Sequence, residues 1–183
     1  MRRILVFLFL IGFVFSAFTQ EHKVNWMTVE EAVAAQKKEP RKIIMDMYTN
    51  WCGPCKMLDK YTFQNDDVAS YINDNYYAVK FNAEGDSSVA FKGQTFTNPN
   101  FDPARTRSRN SQHQLASYFG VHAYPTVLFL DENANLLTPV KGFYRPKQLE
   151  IFLKIFATND YKAVTTKEQW VCLLYTSPSP RDA

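Results

Sequence analysis

Apolar and polar residues follow strand and helix periods in turn along residues 26–156, and this alternation predicts an α/β fold. Four segments have the apolar content of strands: residues 43–48, 76–82, 127–130 and 136–143. Five segments have helical patterns: residues 26–38, 56–61, 68–73, 111–119 and 146–156. The order β-α-β-α-β-β-α, preceded by an extra helix, predicts a mixed central sheet flanked by helices on both faces.

Residues that cap helices or favour turns mark the ends of several predicted elements. Thr28 and Glu31 have the spacing of a capping box at the start of the first helix. Gly120 is placed to end the fourth helix, and residues 131–135 are typical of a hairpin turn. Pro146 suits the first turn of the last helix. The local signals therefore agree with the periodic pattern.

Residues 84–110 interrupt this pattern and are too many for an ordinary connection between elements. We predict an inserted surface excursion with a hairpin around Lys92 and Gly93. Three closely spaced arginines follow in the same segment: Arg105, Arg107 and Arg109. They could bind an acidic partner, although such a cluster is more often a solvated loop face, and both interpretations stay open.

The charge of the chain gives no reason to expect a nucleic-acid partner. The 183 residues suit one domain with additional segments, and they include 21 basic and 18 acidic residues. Four of these charges lie near the two ends of the chain: Arg2, Arg3, Arg181 and Asp182. Without them 18 basic and 17 acidic residues remain, and a near-neutral body lacks the basic surface that binds phosphates.

The N-terminal residues have the pattern of a targeting segment. Two arginines precede an apolar stretch at residues 4–15, which is shorter than the roughly 20 apolar residues that span a bilayer. We therefore predict a signal peptide over residues 1–20 and a periplasmic or secreted domain. The alternative is an uncleaved segment that tethers the domain to a membrane.

The C-terminal residues match a sequence of technical origin. Residues 172–182 follow, in order, the translation of a transposase sequencing adapter, and we assign residues 172–183 to an adapter scar. The domain itself is assigned to residues 21–160, and residues 161–171 to the start of an incomplete C-terminal segment. Setting Cys172 aside leaves two cysteines in the chain.

These two cysteines, Cys52 and Cys55, carry the candidate chemistry. They enclose Gly53 and Pro54 and lie between a predicted buried strand and a predicted helix. A helix N-terminus stabilises negative charge and therefore the thiolate, which is the reactive form of cysteine. We expect Cys52 to be the more exposed sulfur and to attack, and the buried Cys55 to resolve the mixed disulfide.

Two charged residues in the predicted strands suit the control of a proton at this site. Asp46 lies in an apolar strand, where burial raises the pKa of a carboxyl group, and it could take the proton from Cys55. Lys80, on the adjacent strand, could pair with Asp46. The alternatives are a strand-edge Asp46 in water and a solvated Lys80.

Together with the cysteine motif, several further positions resemble the thioredoxin superfamily. Asp46 matches the buried acid of that family, Lys80 its neighbouring lysine, Tyr124-Pro125-Thr126 its cis-proline loop, and Gly142 the glycine of its last strand. The stretches 26–32 and 59–63 resemble the periplasmic C-terminal domain of the DsbD family of disulfide reductases. The resemblance implies a thioredoxin fold over residues 26–156, with the insertion placed before the cis-proline loop.

The resemblance also implies how the site works. A cis Pro125 would leave a backbone edge free for an extended peptide. The residues expected to contact a substrate are Trp51, Gly53, Pro54, Tyr124 and Pro125. Catalysis would fall to Cys52, Cys55, Asp46 and Lys80, with no cofactor beyond the redox-active disulfide. The partners implied are protein disulfides or dithiols and a membrane electron donor, and the chain would act as a monomer.

Other functions are compatible with the same two thiols. The Gly-Pro pair between the cysteines favours a reductase, whereas an oxidase or isomerase would use the same fold. A dithiol metal-binding domain is a further alternative, although a structural zinc site takes four ligands. The three histidines are far apart in sequence, so we predict no metal site from them: His22, His113 and His122. A redox-active adaptor within a longer chain is the last alternative.

Overall fold

The computed structural model describes residues 23–176. The predicted signal peptide over residues 1–20 and the end of the adapter match lie outside this range. No helix between residues 23 and 176 combines the length and the apolar content that crossing a bilayer requires.

The elements within residues 23–176 follow the order that the sequence predicts. The strands are β1 Trp26–Met27, β2 Lys42–Tyr48, β3 Tyr76–Asn82, β4 Val89–Phe91, β5 Gln94–Phe96, β6 Thr126–Leu130 and β7 Leu136–Lys141. The helices are α1 Val29–Lys38, α2 Gly53–Leu58, α3 Asp66–Asn75, α4 Gln114–Tyr118, α5 Pro146–Ala157 and α6 Lys167–Thr176. A π-helical turn, Asp59–Phe63, continues α2.

Five strands form one mixed sheet in the order β1-β3-β2-β6-β7. The strands β1, β3 and β2 run parallel, and β6 and β7 are antiparallel to their neighbours. This confirms the predicted mixed sheet. The central strand β2 is buried along Lys42–Met47, as its nearly continuous apolar sequence predicts.

The prediction of a helix over residues 26–38 is wrong in its first turn. Trp26 and Met27 form the edge strand β1, in register with Ala78 and Val79 of β3. Thr28 ends this strand in an extended conformation and caps α1. The predicted capping box is confirmed, because Glu31 N donates to Thr28 Oγ1 at 3.2 Å and Thr28 N donates to Glu31 Oε2 at 2.8 Å.

The sheet separates two core layers, as alternation along β2 requires. Ile43, Met45 and Met47 pack in the layer that contains buried residues of α1 and α4. Ile44 packs in the other layer, with buried residues of α2, α3 and α5. Asp46 lies on the same face of β2 as Ile44. It borders a cavity that residues of α2 also border.

The inserted segment contains the predicted hairpin, formed by β4 and β5. Lys92 and Gly93 both have positive φ, 50° and 76°, as a two-residue hairpin turn requires. The prediction of a surface excursion is nevertheless wrong for this part. Val89, Phe91 and Phe96 are buried in the main core, because alternate residues of the hairpin face the molecule.

Two helix boundaries also differ from the prediction. The helix predicted over residues 111–119 begins only at Gln114, because the buried His113 caps it by accepting a hydrogen bond from Leu115 N at 3.0 Å. The helix predicted from residue 56 begins at Gly53, directly after Cys52. The earlier start agrees with the expected position of Cys52 at a helix N-terminus, because Cys52 is the cap and Cys55 lies within the first turn.

Replacing the cap residue tests this account of α1. Thr28→Ala removes the side-chain oxygen that accepts from Glu31 N, and we expect a loss of about 1 kcal/mol in the free energy of unfolding, measured by urea titration. Thr28→Ser keeps a hydroxyl and should stay close to wild type. Equal losses in the two variants would contradict the role of the cap.

Candidate active site

Cys52 and Cys55 form a disulfide at the start of α2, with their Cα atoms 5.3 Å apart. The chain turns after β2, and Cys52 N donates to Thr49 O at 3.2 Å. Cys52 is the helix cap, and its Sγ accepts a hydrogen bond from Cys55 N at 3.1 Å. A backbone N–H therefore already points at the sulfur on which a thiolate would form.

The expectation that Cys52 is the more exposed cysteine is wrong for this disulfide form. Cys52 is 2% exposed and Cys55 is 4% exposed. The reason lies in the cap geometry, since Cys52 Sγ is directed back at the first turn of the helix. Gly53 and Pro54 between them are exposed, so the approach to the disulfide runs over the exposed start of the helix.

Asp46 lies in the interior of the protein, at 1% exposure, and the alternative of a strand-edge residue in water is wrong. Its Oδ1 atom accepts no hydrogen bond from any residue in the described part of the chain. Burial raises the pKa of Asp46 from 3.8 to about 7, against the opposing charge of Lys80. A cavity of about 260 Å³ is bordered by both Asp46 and Cys55. The carboxyl group of Asp46 and Cys55 thus border one cavity, and a proton transfer between them stays a prediction.

Lys80 pairs with a different acid from the one predicted. It lies beside Asp46 in the register of β2 and β3, but its ion pair is with Asp59. Sequence reasoning missed Asp59, although its position four residues after Cys55 places the two on one helix face. Lys80 lowers the pKa of Asp46 and Asp59 raises it, both less strongly than burial. The three charged groups border one cavity with Cys55.

The cis-proline loop lies beside the motif. The Tyr124–Pro125 peptide bond is cis, as predicted, and the rings of Trp51 and Tyr124 meet edge to face with centroids 6.2 Å apart. Gly142 N donates to Pro125 O at 2.8 Å, and Gly142 has a φ of 103°, which favours glycine. Trp51, the residue before Cys52, therefore connects the motif to the cis-proline loop. We call the surface formed by Trp51 and Tyr124 the entrance to the disulfide, and its contact with a substrate stays a prediction.

The inserted segment also reaches the site, which sequence reasoning did not foresee. Trp51 Nε1 donates to Glu84 Oε2 at 2.6 Å, and the Arg109 guanidinium lies 4.9 Å from the centroid of the Trp51 ring. The position of Glu84, two residues after β3, could have indicated that it lies near the site. Parallel strands end at the same edge of a sheet, so the segments after β2 and β3 are neighbours.

The histidines take no part in a metal cluster within residues 23–176, where no three His, Cys, Asp or Glu side chains form a group that could hold a metal. His113 is buried, with Nε2 2.7 Å from Ser87 O. His122 is exposed beside the cis-proline loop, and His22 lies outside the described residues.

The raised pKa of Asp46 predicts how stability depends on pH. The unfolded chain loses this proton near pH 4 and the folded chain near pH 7, so the folded state loses stability as pH rises between these values. At about 1.4 kcal/mol per unit, the loss is on the order of 4 kcal/mol. Asp46→Asn should therefore be about 2–4 kcal/mol more stable than wild type at pH 8 and similar at pH 4, measured by urea titration of the oxidised protein.

A surface acid provides the control for this measurement. Asp86 is exposed, and Asp86→Asn should follow wild type at both pH values. A difference between Asp46→Asn and wild type that is the same at pH 4 and pH 8 would contradict a raised pKa.

Comparisons with known proteins agree with the fold. The model of the thioredoxin-like domain family matches residues 29–157. The thiol:disulfide interchange protein DsbD of Haemophilus ducreyi is 27% identical over 115 residues, which is 62% of this chain and 16% of that protein. DsbD of Actinobacillus pleuropneumoniae is 29% identical over 121 residues, 65% of this chain and 16% of that protein. This chain thus spans a small part of the relatives that it matches.

A solved structure extends the agreement to the fold. The thioredoxin-fold protein from Helicobacter pylori superimposes with a TM-score of 0.59 at 15% identity, over 80% of this chain and 93% of that one. At this identity the likeness concerns the fold alone. Since the family model matches residues 29–157, from the start of α1 to the end of α5 and more than half of the chain, the chain belongs to the thioredoxin-like domain family.

Proposed function

We propose that this chain is a thiol–disulfide oxidoreductase that reduces disulfides of exported proteins. The observation that carries the proposal is the Cys52–Cys55 disulfide at a helix start, with the buried Asp46 on the same cavity as Cys55. The similarity to DsbD, a thiol:disulfide interchange protein, supports it. The Gly-Pro pair between the cysteines supports the reducing direction.

The first step is attack by the Cys52 thiolate on a substrate disulfide. A bond forms between Cys52 Sγ and one substrate sulfur, and the other substrate sulfur leaves as a thiolate that takes up a proton. The cap position favours the attacking thiolate, because Cys55 N donates to this sulfur.

The second step uses Cys55 and Asp46. The Cys55 thiol gives its proton to the Asp46 carboxylate and attacks Cys52 Sγ, which re-forms the Cys52–Cys55 bond and releases the second substrate sulfur as a thiolate. That thiolate takes up a proton, and Asp46 returns its own proton to the solvent. Two electrons and two protons pass to the substrate. A pKa of about 7 in the oxidised form suits Asp46 to this transfer near neutral pH. The cavity of about 260 Å³ has room for a bridging water between the groups.

The other residues of the site position these groups. Lys80 offsets part of the cost of a buried Asp46 charge and is itself held by Asp59. Trp51, Tyr124 and Pro125, together with the exposed Gly53 and Pro54, would receive an extended peptide. No cofactor beyond the disulfide is required by these steps.

Partners and location follow from the direction of the reaction. A reductase in an oxidising compartment must be reduced again after each turnover, so we propose a membrane-bound dithiol as the electron donor. The arginines and apolar residues at 2–15 support export. We propose that the domain acts as a monomer.

Cysteine variants test the proposed reaction. In an insulin-reduction assay with dithiothreitol, Cys52→Ser should fall to the uncatalysed rate because the attacking sulfur is absent. Cys55→Ser should accumulate a mixed disulfide with the substrate, visible on a non-reducing gel. Cys172→Ser is the matched control and should keep wild-type turnover. Wild-type turnover no faster than that of Cys52→Ser would refute the proposal.

The reduction potential tests the direction. For a reductase we expect the Cys52–Cys55 pair to equilibrate near the thioredoxin value of about −270 mV, measured against glutathione. A value near the roughly −120 mV of the oxidant DsbA would instead identify an oxidase.

A further inference from the structure

We propose that Arg109 binds an acidic side chain beside the disulfide of the substrate, so that the inserted segment 84–110 selects acidic protein substrates. The inference rests on the proposed function and adds a substrate class to it. Arg109 is a specificity residue in this account, because it contacts the substrate beside the sulfurs rather than at them.

The inserted segment is fastened to the redox motif. Glu84 Oε2 accepts from Trp51 Nε1 at 2.6 Å and from Asn110 N at 2.9 Å, so one carboxylate joins the end of the segment to the residue before Cys52. Asn50 Nδ2 donates to Thr106 O at 3.0 Å and adds a second connection. The segment therefore holds a defined place beside the entrance to the disulfide.

The segment is also ordered internally, which fixes where Arg109 lies. Asp102 N donates to Asn110 Oδ1 at 2.9 Å, and Asn110 Nδ2 donates to Asp102 O at 2.8 Å. The buried Asn98 donates to Gly85 O and Ser111 O, at 3.0 and 2.8 Å. All of these hydrogen bonds except the one to Gly85 O join residues that precede the three arginines to residues that follow them.

Arg109 is placed to receive a carboxylate. Its guanidinium lies 4.9 Å from the centroid of the Trp51 ring, and the same ring contacts Tyr124 of the cis-proline loop. A guanidinium that contacts an aromatic ring with its face keeps its N–H groups at the edge, where they can donate to a carboxylate in pairs. Arg109 is exposed, and no carboxylate among residues 23–176 forms an ion pair with it.

The neighbouring charges distinguish Arg109 from Arg105. Arg105 borders a cavity of about 280 Å³ that two acidic residues, Glu84 and Asp86, also border. Arg109 does not border that cavity. The Glu84 carboxylate accepts from the neutral Trp51 and Asn110 donors. Arg109 is thus the cation of this loop that the geometry places beside the entrance to the disulfide.

The test uses three peptides, each with one intramolecular disulfide. They differ only at the residue beside one of the two cysteines, which is Glu in the first peptide, Gln in the second and Lys in the third. The measurement is kcat/KM for their reduction by the reduced full-length chain. Wild type should prefer the Glu peptide to the Gln peptide by about fivefold, as expected for a partly exposed charge pair, and should disfavour the Lys peptide. The preference should shrink at 0.5 M salt.

Variants of the arginine locate the effect. Arg109→Gln should abolish the preference, and Arg109→Glu should reverse it toward the Lys peptide. Arg107→Gln is the matched control, since it removes the same charge two residues away, and it should keep the preference. Loss of the preference in Arg107→Gln but not in Arg109→Gln would overturn the assignment.

Two further outcomes separate this inference from the function on which it rests. Equal reduction of all three peptides by wild type would overturn the acidic preference and leave the oxidoreductase intact. Failure to reduce any peptide would overturn both.

An Arg109→Gln variant that slows all three peptides equally and shifts the reduction potential would show that Arg109 acts through the cysteines. That result would also overturn the proposal that Arg109 selects substrates.

Discussion

The parallel register of β2 with β3 is the constraint on which the rest of the site depends. Seven residue pairs join the two strands, from Lys42 with Tyr76 to Tyr48 with Asn82. One of these pairs places Asp46 beside Lys80. Because parallel strands end at one edge of a sheet, the segment after β2, which carries the cysteines, begins beside the segment after β3, which carries the insertion.

The charge arrangement beneath the cysteines shows which effect dominates at a buried acid. Burial alone disfavours the charged form of Asp46, and it outweighs the nearby cation of Lys80. Lys80 cannot neutralise Asp46 fully because it is already paired with Asp59. The pKa of Asp46 is consequently raised to about 7, which suits the proton transfer that we propose for it.

The insertion has two parts with different physical roles. The hairpin of β4 and β5 adds Val89, Phe91 and Phe96 to the core, so it contributes to the stability of the domain. The loop that follows contacts Trp51 through Arg109, and Glu84, which precedes the hairpin, holds this loop by accepting hydrogen bonds from Trp51 and from Asn110 N. Anchoring one part in the core gives the other a fixed position at the active site.

Much of this protein follows from its sequence alone. The apolar pattern predicts four of the five strands of the sheet, and the Thr28 and Glu31 spacing predicts the cap of α1. The cysteine motif predicts the redox site, and the resemblance to the thioredoxin superfamily adds Tyr124 and Pro125. These features are local, since they depend on neighbouring residues along one element or turn, or on a short motif. They can therefore be predicted without knowledge of the tertiary structure.

Only the tertiary structure decided the features that depend on distant segments. Trp26 and Met27 form a strand because β3 offers an edge, and Lys80 pairs with Asp59 because α2 lies over that face of the sheet. Burial of Cys52 and the contact of Arg109 with Trp51 arise in the same way. Each of these features depends on packing between elements that are far apart in the chain. The residues of one segment do not determine which residues of another segment lie beside it.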